Sequence, residues 1–150
     1  MKEATNKIYD NLHFTHKIHE KQCELLSLGT LVLRLLSVIL ICGVLFLQFW
    51  QLIDTGHERT LVAWSIVLTV AEVGLVFFQL NFNYDKLLDQ HRTTAKSLLI
   101  VKNRLIVAKA SGITQKLLGS FVDELNEIYS AAPQTNRLAK WLVHREGKRK

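Results

Sequence analysis

The stretch of sequence that decides the fold is LLSVILICGVLFLQFWQLI-DTGHER-TLVAWSIVLTVAEVGLVFFQLNF, which runs from residue 35 to residue 82. Its outer parts, 35–53 and 60–82, are almost entirely apolar, and the six residues 54–59 between them are polar. As helices rising about 1.5 Å per residue, the apolar runs reach ~28 Å and ~34 Å, and each crosses a hydrocarbon core of ~30 Å. Because so short a connection joins only antiparallel neighbours, the sequence predicts a transmembrane helical hairpin.

The residues on either side of the hairpin lack the alternating apolar pattern of a sheet, and Pro133 is the one proline of the chain. Helix is therefore expected throughout, and the predicted fold class is an all-α membrane protein. We expect three parts: an N-terminal cytoplasmic helix in 1–28, a transmembrane hairpin in 29–83 with helices at about 29–53 and 60–83, and a cytoplasmic helical region with a basic tail in 84–150.

Basic residues indicate the orientation of the hairpin. Four lysines precede it, the segment from residue 83 onward has 13 Lys or Arg against 6 Asp or Glu, and the connecting loop has Arg59 alone. The positive-inside rule then places the N-terminus and the C-terminus in the cytoplasm.

The formal charge of +6 does not indicate nucleic acid, because no motif interleaves aromatic residues with the basic ones. We assign most of this charge to topology and to anionic lipid headgroups, which attract each juxtamembrane Lys or Arg by about 1 kcal/mol. Direct nucleic-acid binding is not expected. Cys23 and Cys42 do not form a disulfide framework, since one lies in the bilayer and the other in the reducing cytoplasm.

The segment before the hairpin has a thin apolar side formed by Ile8, Leu12 and Ile18. Gly29 is the one helix-breaking residue between this segment and the first apolar run. The segment is therefore expected to lead into the first membrane helix with little interruption.

The second membrane helix is expected to be continuous with a long cytoplasmic helix, because no Gly or Pro occurs between Gly74 and Gly112. A heptad-spaced stripe crosses the membrane boundary in one phase: Phe77, Leu80, Tyr84, Leu87, His91, Thr94, Leu98, Val101, Leu105 and Ala108. Such a stripe implies one helix that packs on the same partner in lipid and in water. Ser111 and Gly112 mark its predicted end.

Two amphipathic helices are predicted after Gly112, one in 113–129 and a short one around Leu138, Trp141 and Leu142. The segment 130–133 separates them, and the tail 147–150 is expected to be disordered. These helices are too few to form a deep core alone, so they need each other, the N-terminal helix or neighbouring copies of the chain.

Each membrane helix carries one polar side. The first has Ser27, Thr30, Arg34, Ser37, Gln48 and Gln51 at helical spacing, and the second has Ser65, Thr69, Glu72, Gln79 and Asn83. These sides must face protein or water rather than hydrocarbon. Either they face each other and form interhelical hydrogen bonds of ~0.6 kcal/mol each, or several hairpins assemble with part of this surface lining an aqueous path. The spacing leaves both readings open, and the second one requires an oligomer.

Glu72 is the leading candidate for a functional residue. It lies ~23 Å of helix from the loop, past the middle of the second span, and Arg34 lies ~34 Å from the loop on the first helix. Arg34 is expected to reach toward the cytoplasmic interface rather than to pair with Glu72. Glu72 must then be protonated, solvated by a water-filled path or bonded to a neighbour.

Other clusters carry weaker signals. His13, His16 and His19 fan out over about 120° of a helix, which favours a solvated surface over a metal site. His91, Arg92 and Trp141 are candidates for coupling or partner contact. A packed His91 beside an exposed Arg92 is favoured over a functional contact, and helix packing explains Trp141 equally well. No phosphate-binding glycine loop, nucleophile elbow, zinc motif or carboxylate pair occurs, so neither catalysis nor a cofactor or metal is expected.

The layout resembles the SLATT family, the small two-transmembrane effectors associated with bacterial nucleotide-signalling and anti-phage conflict systems. The resemblance covers most of the chain. It includes HRTTA at 91–95, followed by Leu98, Leu99, Arg104 and Leu105, and NEIY at 126–129, followed by Ala132 and Pro133.

The resemblance implies an oligomeric pore-forming effector of the bacterial inner membrane. A nucleotide-synthesising enzyme, a nucleotide sensor or a reverse transcriptase would be its partner, and opening would depolarise the membrane and arrest or kill the infected cell. Two other hypotheses remain open: a non-conducting membrane adaptor that anchors a cytoplasmic partner, and a holin-like lysis protein.

Overall fold

The computed structural model describes residues 2–53 and 56–147 as five helices joined by short connections. These are α1 (Lys2–Ile53), α2 (Glu58–Asn81), α3 (Tyr84–Ser111), α4 (Gln115–Ala131) and α5 (Arg137–Gly147). No strand occurs in either described range, and the predicted all-α class is confirmed. The first two loop residues, 54 and 55, and most of the tail predicted to be disordered, 148–150, lie outside the described residues.

Helix α1 joins the polar N-terminal segment and the first apolar run in a single helix of 52 residues. The predicted continuity is therefore confirmed. Gly29 lies inside this helix with no atom within 4 Å of the position of an added Cβ. A single helical glycine costs only about 1 kcal/mol relative to alanine, which is too little to interrupt so long a helix.

The predicted continuity of the second membrane helix with the long polar helix is wrong, because α2 ends at Asn81 and α3 begins at Tyr84. Phe82 is extended, with φ −95° and ψ 95°. Its ring lies 4.4 Å from that of Phe78 and 6.0 Å from that of Tyr84 between centroids. The helix thus ends beside a group of aromatic rings and without Gly or Pro, so a search for helix-breaking residues does not find this end.

The predicted stripe is not continuous across this interruption. Leu98, Val101 and Leu105 of α3 are buried, but Phe77 and Leu80 of α2 are 68% and 77% exposed. The half-buried positions of α2 form a different heptad set: Leu61, Ser65, Leu68, Glu72, Leu75 and Gln79.

Residues 27–84 form one compact unit, the hairpin unit, in which α1 and α2 lie antiparallel. Along α1, residues 33, 37 and 43 lie next to residues 79, 72 and 68 of α2, respectively. Each helix contains a stretch that is long and apolar enough to cross a membrane, and no residue within these two stretches is buried in the protein. The apolar outer surface of this unit therefore suits contact with lipid.

The described residues up to 26 and from 85 onward form a second unit, the polar unit. Its main core joins Leu12 of α1 to residues of α3 and α4: Leu98, Val101, Leu105, Phe121 and Leu125. A smaller cluster joins Ile18 of α1 to Ala139 and Val143 of α5. Of the three sources of a core that the sequence left open, two are observed: α3 and α4 pack on each other, and both pack on the N-terminal part of α1.

The connections after α3 follow from local sequence. Gly112 has φ +86°, a left-handed conformation that favours glycine, and the predicted break at Ser111 and Gly112 is confirmed. The Thr114 hydroxyl caps α4 by accepting a hydrogen bond of 3.3 Å from the Leu117 amide. Helix α4 ends two residues before Pro133.

Candidate functional site

The polar residues between the two membrane helices form the candidate site, which we call the polar seam: Ser37, Gln51, Ser65, Glu72 and Gln79. The Ser37 hydroxyl donates a hydrogen bond to Glu72 Oε1. Gln79 Nε2 donates to the Leu33 carbonyl at 3.4 Å. Within the hairpin, Ser37 and Glu72 thus bond side chain to side chain across the two helices, and Gln79 bonds the backbone of α1.

Two polar atoms of the seam are buried without a hydrogen-bond partner in the described part of the chain, Glu72 Oε2 and Gln51 Nε2. A carboxylate at the centre of a bilayer costs about 2.5–3.5 kcal/mol on insertion scales, and one bond from a hydroxyl offsets only part of this. The site thus holds the carboxyl group of Glu72, of which one oxygen accepts a hydrogen bond and the other does not.

The other predicted membrane residues lie outside the seam. Thr69 is exposed, and its hydroxyl donates to the Ser65 carbonyl of its own helix at 2.8 Å. Gln48 and Arg34 are also exposed. Ser65 is half-buried but bonds the Val62 carbonyl of its own helix at 2.8 Å. Of the predicted set, Ser37, Ser65, Glu72 and Gln79 share the seam, and Thr69, Gln48 and Arg34 do not.

A buried pair of histidines lies in the polar unit. His19 Nδ1 of α1 and His91 Nδ1 of α3 are 2.9 Å apart, and the two residues are 3% and 0% exposed. One ring must donate and the other accept, so the contact requires that at least one imidazole is neutral. Burial, with smaller effects of His91 and His16, lowers the pKa of His19 to about 4. Burial also lowers the pKa of His91, whose Nε2 has no partner among the described residues.

The prediction that the N-terminal histidines form a solvated surface is wrong for His16 and His19. His16 is 7% exposed, and its Nδ1 lies 3.5 Å from a Glu20 carboxylate oxygen. Helices α3, α4 and α5 all pack on this part of α1, so faces 120° apart are covered together. Burial lowers the pKa of His16 despite Glu20. No group of three or more His, Cys, Asp or Glu that could hold a metal occurs within 2–53 and 56–147.

A protein-family model matches residues 1–140, almost the whole chain. Its description is SMODS and SLOG-associating 2TM effector domain family 4. The chain belongs to this family. The resemblance to SLATT proteins is thereby confirmed, and the chain is a two-helix membrane effector domain. No similarity was found to a curated protein or to a solved structure.

The remaining candidate residues of this SLATT domain lie in the polar unit. His91 is in the core and contacts His19. Arg92 is exposed, with a guanidinium nitrogen 3.7 Å from an Asp89 oxygen. Trp141 is 52% exposed, and the Arg145 guanidinium lies 5.2 Å from the centre of its ring.

Sequence reasoning missed two features of the site. Leu33 enters the seam through its backbone carbonyl, which no side-chain pattern reports. The pairing of His19 with His91 joins positions 72 residues apart. The signal available for it was the place of His91 in the apolar stripe of α3, which indicated burial but not the partner.

Proposed function

We propose that this SLATT domain is an oligomeric effector that permeabilises and depolarises the bacterial inner membrane in anti-phage defence. The family description as an effector and the two membrane helices support a membrane role. The observation that carries the proposal further is Glu72, an acidic group inside a membrane hairpin whose second carboxylate oxygen has no partner in the described residues.

The proposed resting state is the closed hairpin with Ser37 bonded to Glu72. One hairpin encloses no pore, so conduction requires several copies that turn their polar seams toward a shared path. Separation of the helices would break the Ser37 bond and would allow water to solvate Glu72 and Gln51. Hydration then supplies the hydrogen bonds that both side chains lack in the closed state.

The proposed mechanical link is α1. This helix contributes Leu12 and Ile18 to the cores of the polar unit and Ser37 to the seam, without a break between them. Transmission through α2 and α3 is less well supported, because Phe82 and Asn83 between these helices are not helical. A signal that displaces the first half of α1 would therefore be transmitted to the seam.

The proposed trigger comes from another molecule, either a nucleotide signal or a nucleotide-synthesising enzyme, a nucleotide sensor or a reverse transcriptase. The family name supports a link to SMODS and SLOG proteins. We propose cytoplasmic termini, which the distribution of Lys and Arg supports. We also propose that the domain is not an enzyme, because its sequence has no catalytic motif and its family is described as an effector.

Membrane potential in bacteria that express the full chain tests this proposal. Dye fluorescence is expected to report depolarisation for the wild type and little or none for Glu72→Leu at equal membrane expression. Thr69→Val is the matched control, because Thr69 is exposed on the same helix and bonds its own backbone. Equal depolarisation by all three proteins would refute the role of Glu72.

A non-conducting adaptor is the second candidate, because Ser37, Glu72 and Gln79 have partners within one hairpin, as a purely structural hairpin requires. Replacement of 29–83 by an unrelated two-pass hairpin preserves activity only for an adaptor. A holin-like function is less well supported, since Phe121 and Leu125 lie in the same core as Leu12. Activity retained after removal of residues beyond 112 would favour it.

A further inference from the structure

Helix α3 is apolar on two opposite sides. One side supplies Leu98, Val101 and Leu105 to the core of the polar unit. The opposite side presents a second stripe to solvent, which we call the outer face: Leu99, Ile100, Ile106 and Val107, which are 40%, 59%, 45% and 65% exposed, with exposed Asn103 and Ala110. An apolar side of this size on a polar helix is typical of a docking surface.

The spacing of the outer face fits a helical partner. Leu99 and Ile106 are seven residues apart, as are Ile100 and Val107. Asn103 lies midway, after the first residue of each pair and before the second. This is the pattern of a two-helix seam, in which a central Asn fixes the register. From residue 99 to residue 110 the face extends ~17 Å, which matches a partner helix of about 12 residues.

Most charges beside the outer face are basic, and two carboxylates, Glu20 and Glu24 of α1, line the same surface depression as Lys96 and Leu99. No Asp or Glu occurs from residue 90 to residue 122. Lys96 is exposed, and Lys102 and Lys109 contact neutral groups of α1: the His13 ring, whose pKa burial and Lys102 lower, and the Asn6 amide oxygen. Arg104 pairs with Glu124 of α4 at 2.7 Å. The two lysines on the α1 side thus have no carboxylate in these contacts.

We infer that the outer face of α3 is the docking surface for an amphipathic helix of another protein, whose apolar stripe is flanked by Asp or Glu. Leu99, Ile100, Ile106 and Val107 would pack against the stripe, and Lys96, Lys102 and Lys109 would face the carboxylates. This inference concerns the polar unit alone and does not require that the hairpin conducts ions.

The other possible occupants fit less well. In an α3–α3 contact between two copies, Lys102 and Lys109 would meet no carboxylate from the other α3, because residues 90–122 include no acid. A lipid surface would have to accept Asn103 at the centre of the stripe, where its amide would lose hydrogen bonds to water. The stripe also lacks the aromatic residues that membrane-surface helices commonly use.

The test uses the full chain in nanodiscs of phosphatidylcholine and a fluorescein-labelled designed helix with Leu at positions a and d and Glu at e and g. Fluorescence anisotropy is expected to show binding to the wild type and about tenfold weaker binding to Ile106→Asp. Leu138→Asp is the matched control, because Leu138 is 49% exposed on α5. It is expected to leave binding unchanged.

Charge reversal tests the specificity. Lys96→Glu is expected to weaken binding of the acidic helix severalfold and to strengthen binding of a helix with Lys at e and g. Equal binding of both helices by the wild type, or equal losses in Ile106→Asp and Leu138→Asp, would overturn the inference.

Two further results would assign the face to another occupant and overturn the inference. A smaller oligomer in Ile106→Asp without any peptide would assign it to a second copy. Loss of peptide binding when the nanodisc contains phosphatidylglycerol would assign it to the lipid surface. Glu72→Leu should retain peptide binding, so that failure of the pore and failure of this docking surface are distinguishable.

Discussion

At Gly43 the first membrane helix has no side chain where the second approaches it. An added Cβ would lie 3.2 Å from Leu68 Cδ1, whereas an added Cβ at Gly74 has nothing within 4 Å. Gly43→Val is therefore expected to weaken the hairpin by about 1–2 kcal/mol through overpacking. Gly74→Val should change its stability by less than about 0.5 kcal/mol. Unfolding of both variants in mixed micelles measures the difference, and equal effects would contradict the close approach at Gly43.

The His19–His91 pair should make the polar unit sensitive to acid. The folded pKa of His19 is about 4, below the ordinary value of 6.5, so the unfolded chain binds a proton at a higher pH than the folded chain. The contribution of neutral His19 to the free energy of unfolding is therefore fully present above about pH 6.5, and it is lost as the pH falls toward 4. Hydrogen exchange of α3 amides, corrected for intrinsic rates, should show this loss.

The variant His19→Gln separates this effect from other titrations. It removes the titrating ring, so the loss of protection between pH 6.5 and pH 4 is expected to be smaller than in the wild type. His144→Gln, at an exposed position of α5, is expected to keep the wild-type slope. An identical slope in His19→Gln and the wild type would show that the buried pair does not govern the acid response.

Replacement of a glycine by alanine should change the stability of the polar unit in opposite directions at Gly112, where a helix ends, and at Gly119, within a helix. Gly112→Ala is expected to destabilise the polar unit by about 1 kcal/mol, because φ is +86° where α3 ends. Gly119→Ala is expected to stabilise it by about 0.5–1 kcal/mol, since Gly119 lies within α4 with open space around it. Denaturant unfolding checks both, and a gain in stability for Gly112→Ala would contradict the helix end assigned there.

The proposed transmission through α1 predicts different tolerance to inserted residues. Two glycines inserted between Ser27 and Leu28 interrupt α1 and are expected to abolish induced depolarisation while membrane expression persists. The same insertion between Phe82 and Asn83, where the chain is already non-helical, is expected to retain most of the activity. The reverse order of effects would assign transmission to α2 and α3.

The elements show what local sequence predicts well. The apolar length of the hairpin, the end of α3 at Gly112 and the continuity of α1 were all predictable, because each depends on composition or on one backbone conformation. The end of α2 was not predictable in this way, since the chain becomes extended at Phe82 without a Gly or Pro.

The candidate site shows a second limit of sequence reasoning. The predicted polar side of α1 included 34 and 48, but the half-buried side includes 33 and 47 instead, together with the shared positions 30, 37 and 51. Positions 33 and 34 lie on opposite sides of 37 around the helix, about 100° apart, and helical spacing alone does not resolve which of them faces α2. Only the position of the neighbouring helix distinguishes a seam residue such as Ser37 from an exposed one such as Arg34.

The whole molecule consists of two units with different surfaces, one suited to lipid and one with its own apolar core. Both units include part of α1, and among the helices within 2–53 and 56–147 it is α1 that contributes residues to both cores of the polar unit and to the seam. This arrangement supports the proposal that a signal received by the polar unit changes the hairpin. We propose that an oligomer of such hairpins conducts ions when the bond between Ser37 and Glu72 opens.

The most direct test is the collapse of an imposed diffusion potential, reported by a voltage-sensitive dye, in liposomes that contain the purified full chain. Ser37→Ala removes the donor that holds Glu72, so the closed state loses about 1–3 kcal/mol and the potential should collapse faster than with the wild type. With Glu72→Leu the potential should collapse more slowly than with the wild type. With the control Thr69→Val it should collapse at the wild-type rate. Opposite effects of the two partners of one hydrogen bond would support gating by the seam, whereas equal rates for Ser37→Ala, Glu72→Leu and the wild type would contradict it.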